Sequence, residues 1–303
     1  MTTDTTTQLR KGVFAAVAAF LIWGGSPIFF KALGKASAFE ILAHRVVWSL
    51  LFTFALLSIS NRTMDLLKLF RNQRLLVWLF ISACLVATNW VVFIWAVNHE
   101  KALEASMGYF IFPIVMVALG RLFLNELLSR LQWVALLAVC LGVINLLFSL
   151  GELPWVALTL ATAMGLYGLV RKKTPVDALL GLTVECLLLS PMALLYLIML
   201  YHDGTLIFAN LSLNTDILLA CSALMTAVPL ILFTASTHIL KLGTVGMLQY
   251  INPTSQFLIA VFLFSEPFTD THLITFSLIW LGLGIYTFES QRQTRMANGS
   301  TNS

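Results

Sequence analysis

The sequence predicts an all-α integral membrane protein with ten transmembrane helices in two inverted-topology five-helix repeats. Composition is the first reason: 59% of the 303 residues are hydrophobic and 11% are charged, whereas a soluble domain carries about 25% charged residues. The second reason is a series of uncharged apolar stretches close to the roughly 20 residues that span a bilayer. The third is a motif that occurs twice, 140 residues apart.

The apolar stretches define the helices, because backbone that faces lipid must satisfy its own hydrogen bonds and is therefore helical. Arg45 falls inside the second stretch and Glu185 inside the seventh. The connecting loops are short, so we expect one polytopic domain with no inserted soluble domain. The predicted helices are 12–33, 38–59, 75–98, 104–123, 131–149, 153–170, 176–201, 215–237, 243–264 and 271–288. They group into an N-terminal tail (1–11), a first repeat (12–149), a second repeat (153–288) and a C-terminal tail (289–303).

Loop charges predict the orientation. With the N-terminus inside and the helices alternating, fourteen of the 18 Lys and Arg residues fall in inner segments and three in outer segments. Positively charged loops stay on the cytoplasmic side. Both termini are therefore predicted to be cytoplasmic, which requires an even number of membrane crossings.

The repeated motif relates the two halves of the chain. Pro113 and Pro253 are each followed thirteen residues later by a glutamate, Glu126 and Glu266. Five helices per repeat is an odd number, so the halves must run in opposite directions. Inverted repeats of this kind build midplane substrate sites in many transporters. We expect the two glutamates to lie at helix ends and to bond loop backbone.

The two prolines lie near the middle of their predicted helices. Each removes one backbone donor and frees the carbonyl four residues earlier. A freed carbonyl needs a hydrogen-bond partner. That partner is either the substrate or, if the proline only makes a structural kink, a neighbouring helix, and both interpretations stay open. The side chains next to the prolines are candidate substrate contacts: Tyr109, Phe110, Gln249, Tyr250 and Asn252.

Two ionisable residues within the bilayer form a second candidate site. Arg45 and Glu185 are related by the same shift of 140 residues and carry opposite charges. Charged groups inside membranes are costly and usually functional. They are predicted either to neutralise each other or to line a polar cavity, as a gate or as a substrate-binding pair. The alternative is a structural ion pair between helices.

A third candidate is Asn89 with Trp90, in the third predicted helix. An amide beside a flat ring suits an aromatic or amide-bearing ligand. Trp90 alone would equally be packing or lipid-facing.

No pattern in the chain indicates enzymatic chemistry. The four cysteines stand singly without metal-ligand spacing, and nucleotide-binding or zinc-protease motifs are absent from the sequence. We therefore predict no catalytic residues, no metal and no cofactor. Transport would draw on an ion gradient or on the substrate gradient, with protons as the candidate coupling ion and Glu185 as the candidate carboxylate.

Several local strings are specific enough to indicate a family. They are EILAHRVVWS at 40–49, NW at 89–90 with FIWAVN at 93–98, LEASMGYF at 103–110, YGLVRKK at 167–173 and QYINPT at 249–254. With ten helices in two halves, the chain resembles the EamA family of the drug/metabolite transporter superfamily, and within it the bacterial RarD group. Phe112 departs from the Asn that often precedes this proline in that group, so the amide remains only in the second repeat, as Asn252.

The resemblance implies a multi-pass permease of the bacterial inner membrane. It also implies a central cavity lined by helices 1–4 and 6–9, with helices 5 and 10 peripheral. We expect a secondary transporter that exports small organic molecules, chloramphenicol-type or amino-acid-like, by alternating access. The expected partners are a small-molecule substrate and lipid, not nucleic acid, and homo-oligomerisation is left open. The alternatives are a membrane sensor or assembly protein without flux and, less favoured, an integral-membrane enzyme.

Overall fold

A computed structural model describes residues 2–33, 36–99, 101–148, 155–263, 265 and 270–299. Every regular element within these ranges is helical, which confirms the all-α prediction. The helices are α1 (Thr2–Ala32), α2 (Ala38–Ile59), α3 (Thr63–Phe70), α4 (Gln73–Asn98), α5 (Ala102–Phe123), α6 (Arg130–Phe148), α7 (Trp155–Lys173), α8 (Ala178–His202), α9 (Leu213–Ile239), α10 (Leu242–Leu248), α11 (Ile251–Leu258), a π-helical turn (Ile259–Leu263) and α12 (Asp270–Gly299).

Eight of these helices are long and apolar enough to cross a membrane: α1, α2, α4, α5, α6, α8, α9 and α12. The ninth predicted helix is interrupted and comprises α10, α11 and the π-helical turn. Helix α3 was not predicted, and α1 and α12 extend into both predicted tails. Ten crossings and cytoplasmic termini therefore stay predictions, as do the repeat boundaries.

Helix α7 corresponds to the sixth predicted segment and is not among the eight. It packs between α4, α5 and α9, and 11 of its 19 residues are buried. Helix α7 is therefore surrounded largely by other helices of the protein.

Helix caps repeat at the same spacing as the sequence motif. The Ser37 and Asp177 side chains accept from the backbone three residues onward and cap α2 and α8. Asn72 and Ser212 do the same for α4 and α9. Both pairs are 140 residues apart. The caps satisfy otherwise unpaired N–H groups, so equivalent helices begin at equivalent positions in the two halves.

Helices α6 and α12 pack on each other through two glycines. A Cβ at Gly142 would lie 3.0 Å from the Thr275 carbonyl oxygen, and one at Gly282 would lie 2.7 Å from that of Ala135. Both glycines and both carbonyls are related by the shift of 140. This reciprocal contact is what a two-fold relation produces, and small residues permit such close approach in membranes.

The remaining long helices form the bundle core. Extensive contacts join α1 with α9, α2 with α8 and α9, and α4 and α5 with α7. The Phe233 ring lies among the rings of Phe20, Trp23 and Tyr167, at centroid separations of 6.0–6.2 Å.

Pro113 and Pro253 occupy different positions in their helices. Pro113 lies within the continuous helix α5. Pro253 is the third residue of α11, a first-turn position where the missing N–H costs little. The Gln249 carbonyl that Pro253 would leave free accepts from the Asn252 N–H at 2.9 Å. In the second repeat, therefore, the chain itself satisfies the freed carbonyl.

Candidate functional site

The centre of the molecule is marked by a contact between equivalent residues. The buried Tyr250 hydroxyl donates to the Phe110 carbonyl at 2.8 Å, and these residues are 140 apart. A residue can touch its own repeat equivalent only beside the axis that relates the repeats. The predicted pseudo-two-fold axis would therefore pass between α5 and the interruption that separates α10 from α11.

Glu185 lies at the centre of a buried polar cluster. Its carboxylate accepts from Ser82 Oγ at 2.5 Å and from the Tyr167 hydroxyl at 3.1 Å. Arg171 Nε lies 3.6 Å from Glu185 Oε1, with both side chains at most 1% exposed. The cluster joins α4, α7 and α8 and supplies the carboxylate with a counter-charge, as burial of a charge requires.

Arg171 reaches this cluster by crossing Gly181. A Cβ at position 181 would lie 2.1 Å from Arg171 Nη1, so only glycine leaves room for the guanidinium. Nη2 donates to the Asp177 carbonyl at 3.2 Å. Nε and Nη1 have no hydrogen-bond partner among the described residues. Arg171 had been assigned to an inner loop from the sequence. The one sequence feature that pointed to an inward position was the pair Gly181 and Glu185, which are four residues apart and so share a helix face.

Arg45 lies in a different environment, half-buried on α2. Its Nε donates to Thr226 Oγ1 on α9 at 2.7 Å. Its guanidinium lies 5.2 Å from the Trp90 ring on α4 and 5.6 Å from the Phe30 ring on α1, within cation–π range. Four helices thus meet around Arg45.

Arg45 and Glu185 are not brought together. The residues next to Arg45 pack against Ala193 of α8, eight residues beyond Glu185. At 1.5 Å per residue, this separates the two levels by about 12 Å. The predicted inversion would produce such a separation, because equivalent positions away from its axis would lie on opposite sides of the molecule. The counter-ion of Glu185 is instead Arg171.

The other predicted site residues divide into two groups. Asn89 donates to the Leu160 carbonyl at 3.1 Å and links α4 to α7. Asn252 Oδ1 accepts from Gln256 at 2.9 Å. The Phe110 ring lies 5.7 Å from that of Phe276. These three residues are thus engaged within the protein.

Trp90, Tyr109 and Gln249 keep groups that a ligand could use. The Trp90 and Tyr109 side chains are half-buried. Gln249 is 2% exposed, and its Oε1 has no hydrogen-bond partner in the described part of the chain.

Glu126 holds the start of α10. Its carboxylate accepts from the Leu242 N–H at 2.7 Å and from the Gly243 N–H at 3.0 Å. Lys172 Nζ lies 3.9 Å from the same carboxylate and donates to the Thr237 carbonyl at 2.8 Å. The expected role of Glu126 at a helix end is confirmed. Glu266, its equivalent, lies outside the described residues.

A surface ion pair covers the start of α8. Arg62 Nη2 lies 2.6 Å from Asp177 Oδ2. Burial acts to raise the pKa of Asp177, but the hydrogen bonds from Arg62 and from the Leu180 N–H outweigh it, so that pKa lies below its ordinary value. Hydrogen bonding to Asp177 raises the pKa of Arg62.

Comparison with known proteins shows the family. Residues 10–148 match the EamA-like transporter family. The chain is 43% identical to an uncharacterized transporter of Vibrio cholerae, with 92% of this chain and 93% of that protein covered. Protein RarD of Salmonella typhi is also 43% identical, with 93% and 96% covered. The chloramphenicol-sensitive protein RarD of Pseudomonas aeruginosa is 33% identical, with 94% and 96% covered.

The chain belongs to the EamA-like transporter family. Its RarD relatives match over nearly their full length, which confirms the resemblance carried by the local strings. A solved crystal structure superposes with a TM-score of 0.68 at 14% identity, covering 92% of this chain and 98% of the other. That likeness establishes the fold. The protein is thus a multi-pass membrane transporter of the RarD type. Its described residues contain no group of three or more His, Cys, Asp or Glu side chains that could hold a metal.

Proposed function

We propose that this transporter is a secondary exporter of small organic molecules that works by alternating access in the bacterial inner membrane. The observation that carries the proposal is the hydrogen bond between Tyr250 and Phe110, residues related by the shift of 140 that meet where a pseudo-two-fold axis would pass. Two halves related in this way can exchange conformations and expose one central site to either side in turn. In this proposal α7 and the α10–α11 unit complete the ten crossings, with both termini cytoplasmic.

Closure of the cytoplasmic side would rest on two polar networks. Glu126 and Lys172 join α7 to the start of α10. Arg171 and Glu185 join α7 to α8. Opening toward the cytoplasm would break or shift these contacts, so both networks are proposed as parts of the inner gate. Glu185 can exchange a proton only when Arg171 withdraws, which would couple gate opening to protonation.

The substrate would bind between this gate and the outer side. Trp90 and Tyr109 supply flat rings, and Arg45 supplies positive charge. Gln249 supplies a buried acceptor that has no partner among the described residues. Asn89, Phe110, Tyr250 and Asn252 would shape the walls of the site through their contacts within the protein.

A flux assay in proteoliposomes tests the proposal. Purified protein would be screened with pooled amino acids, nucleosides and amphenicols, with and without an imposed proton gradient. Amphenicols are included because one relative is named a chloramphenicol-sensitive protein. We expect flux above that of empty liposomes, with loss of its proton dependence in Glu185→Gln.

The matched control is Arg130→Gln, which neutralises an exposed residue at the start of α6 and is expected to leave flux unchanged. Stable reconstituted protein without flux of any pool would contradict the exporter proposal and favour a sensor. Flux whose proton dependence survives Glu185→Gln would remove Glu185 from the coupling step.

A further inference from the structure

Two equivalent sites in the two halves share their local geometry but carry opposite charges. Ser82 on α4 and Ser222 on α9 are equivalent positions. Each hydroxyl oxygen lies within hydrogen-bond distance of the carbonyl three residues earlier, at 2.9 Å from that of Leu79 and at 2.5 Å from that of Leu219. On the partner helices, Glu185 faces Ser82, and its equivalent Arg45 bonds Thr226, one turn beyond Ser222. The two sites are thus related in structure but opposite in charge.

The two charges differ in how they are compensated. Glu185 has Arg171 as its counter-ion. Within the described residues, the contacts of Arg45 are a hydroxyl and two aromatic faces, and none of them is a carboxylate. A charged group inside a membrane protein is costly unless it is paired. Among the described residues, the Glu185 site therefore contains its own counter-ion, whereas the Arg45 site contains no anion.

We infer that Arg45 binds the anionic group of the transported molecule, and that the substrates are organic carboxylates with a flat, apolar body. This inference rests on the proposed transport function and specifies its substrate class. A guanidinium holds a carboxylate through parallel hydrogen bonds, and Thr226 engages Nε, which leaves both terminal nitrogens for that contact. The Trp90 and Phe30 rings, which both lie within 5.6 Å of the Arg45 guanidinium, favour a flat substrate body.

The geometry also argues against a zwitterion held between Arg45 and Glu185. Glu185 lies about two helical turns from the level of Arg45 and is neutralised by Arg171. A substrate amine at Glu185 would meet a carboxylate that Arg171 already pairs. Anions should therefore bind more tightly than neutral or cationic analogues of the same shape.

Three probes of one shape test this inference: phenylacetate, phenylacetamide and phenethylammonium. Binding to the purified full chain would be measured by calorimetry in detergent at neutral pH. A hydrogen bond to a charged group contributes about 1.5–3 kcal/mol, so phenylacetate should bind about 10- to 100-fold more tightly than phenylacetamide. Arg45→Gln should abolish this preference, Arg45→Lys should keep part of it, and Arg130→Gln should keep all of it.

The wild-type comparison needs no variant, so a folding defect in Arg45→Gln cannot obscure the result. Equal or weaker binding of phenylacetate relative to either analogue would overturn the inference, as would no detectable phenylacetate binding at millimolar concentration. So would a preference that survives in folded Arg45→Gln. Flux of uncharged pools alone would leave the exporter proposal standing while this inference falls.

Discussion

At the scale of single residues, the buried cluster around Glu185 depends on the lack of a side chain at Gly181. Arg171 is completely buried, and its guanidinium occupies the space where position 181 would carry a Cβ. The pair that Arg171 forms with Glu185 is thus permitted by a third residue that takes no part in it. Arginine is suited to this site because its planar guanidinium presents several N–H donors to a buried ion pair.

Gly181→Ala tests this dependence. The new methyl group would overlap Arg171 Nη1, so either the guanidinium or α8 must move. Overpacking of this kind costs about 1–3 kcal/mol. We expect a lower Tm in detergent, measured by differential scanning fluorimetry, together with altered flux.

Gly284→Ala is the matched control for this change. A Cβ there meets nothing within 4 Å, and alanine favours helix over glycine, so its Tm should stay the same or rise. Equal Tm values for Gly181→Ala and the wild type would show that Arg171 can leave the cluster without cost.

At the scale of elements, the helices of the two repeats begin in the same way. Ser37 and Asp177 cap α2 and α8, and Asn72 and Ser212 cap α4 and α9. The residue types at equivalent caps differ, but each supplies a side-chain oxygen at the required position. Equivalent geometry is thus maintained by capping chemistry rather than by residue identity.

Ser212→Ala should measure how much one helix cap contributes to the stability of the protein. Removing the hydroxyl leaves the Thr215 N–H without its acceptor, which should cost about 0.5–2 kcal/mol of stability. Unfolding in denaturing detergent, followed by circular dichroism, gives the comparison. Asn214→Ala, at an exposed neighbouring position, should cost less. Equal costs for both variants would mean that the cap does not stabilise α9.

At the scale of the whole molecule, the predicted inversion would decide which residues can meet. Phe110 and Tyr250 touch, as residues at the axis would. Arg45 and Glu185 are separated, as residues away from the axis would be, although the sequence relates them by the same shift. A single relation between the two halves thus predicts contact near the axis and separation far from it.

Inversion also predicts that exposed equivalent positions lie on opposite sides of the membrane. Arg71 and Leu211 are both exposed and are 140 residues apart. In a background without native cysteines, Leu211→Cys should react with a membrane-impermeant maleimide in intact cells. Arg71→Cys should react only after permeabilisation, with gel shift as the readout. Labelling of both positions from the same side would contradict the inverted topology.

From the sequence by itself, all the long helices could be located and an inverted relation between the two halves could be predicted. The length of an apolar stretch and the hydrogen bonding of a helical backbone are local properties. The apolar stretches could therefore be recognised without coordinates, and so could the spacing of Pro113 and Pro253. The family resemblance followed from local strings in the same way. The role of Glu126 at a helix end was also predictable, because a carboxylate close to a loop is available to cap a neighbouring helix.

Only the tertiary structure decided the partners of the charged residues. Arg171 was assigned to a loop because it stands beside Lys172 and Lys173, yet Gly181 on another helix allows it to fold inward to Glu185. Likewise, Arg45 faces Thr226, Trp90 and Phe30 from three other helices. Pairing between helices depends on their rotation and level within the bundle, which the packing of all the helices sets together.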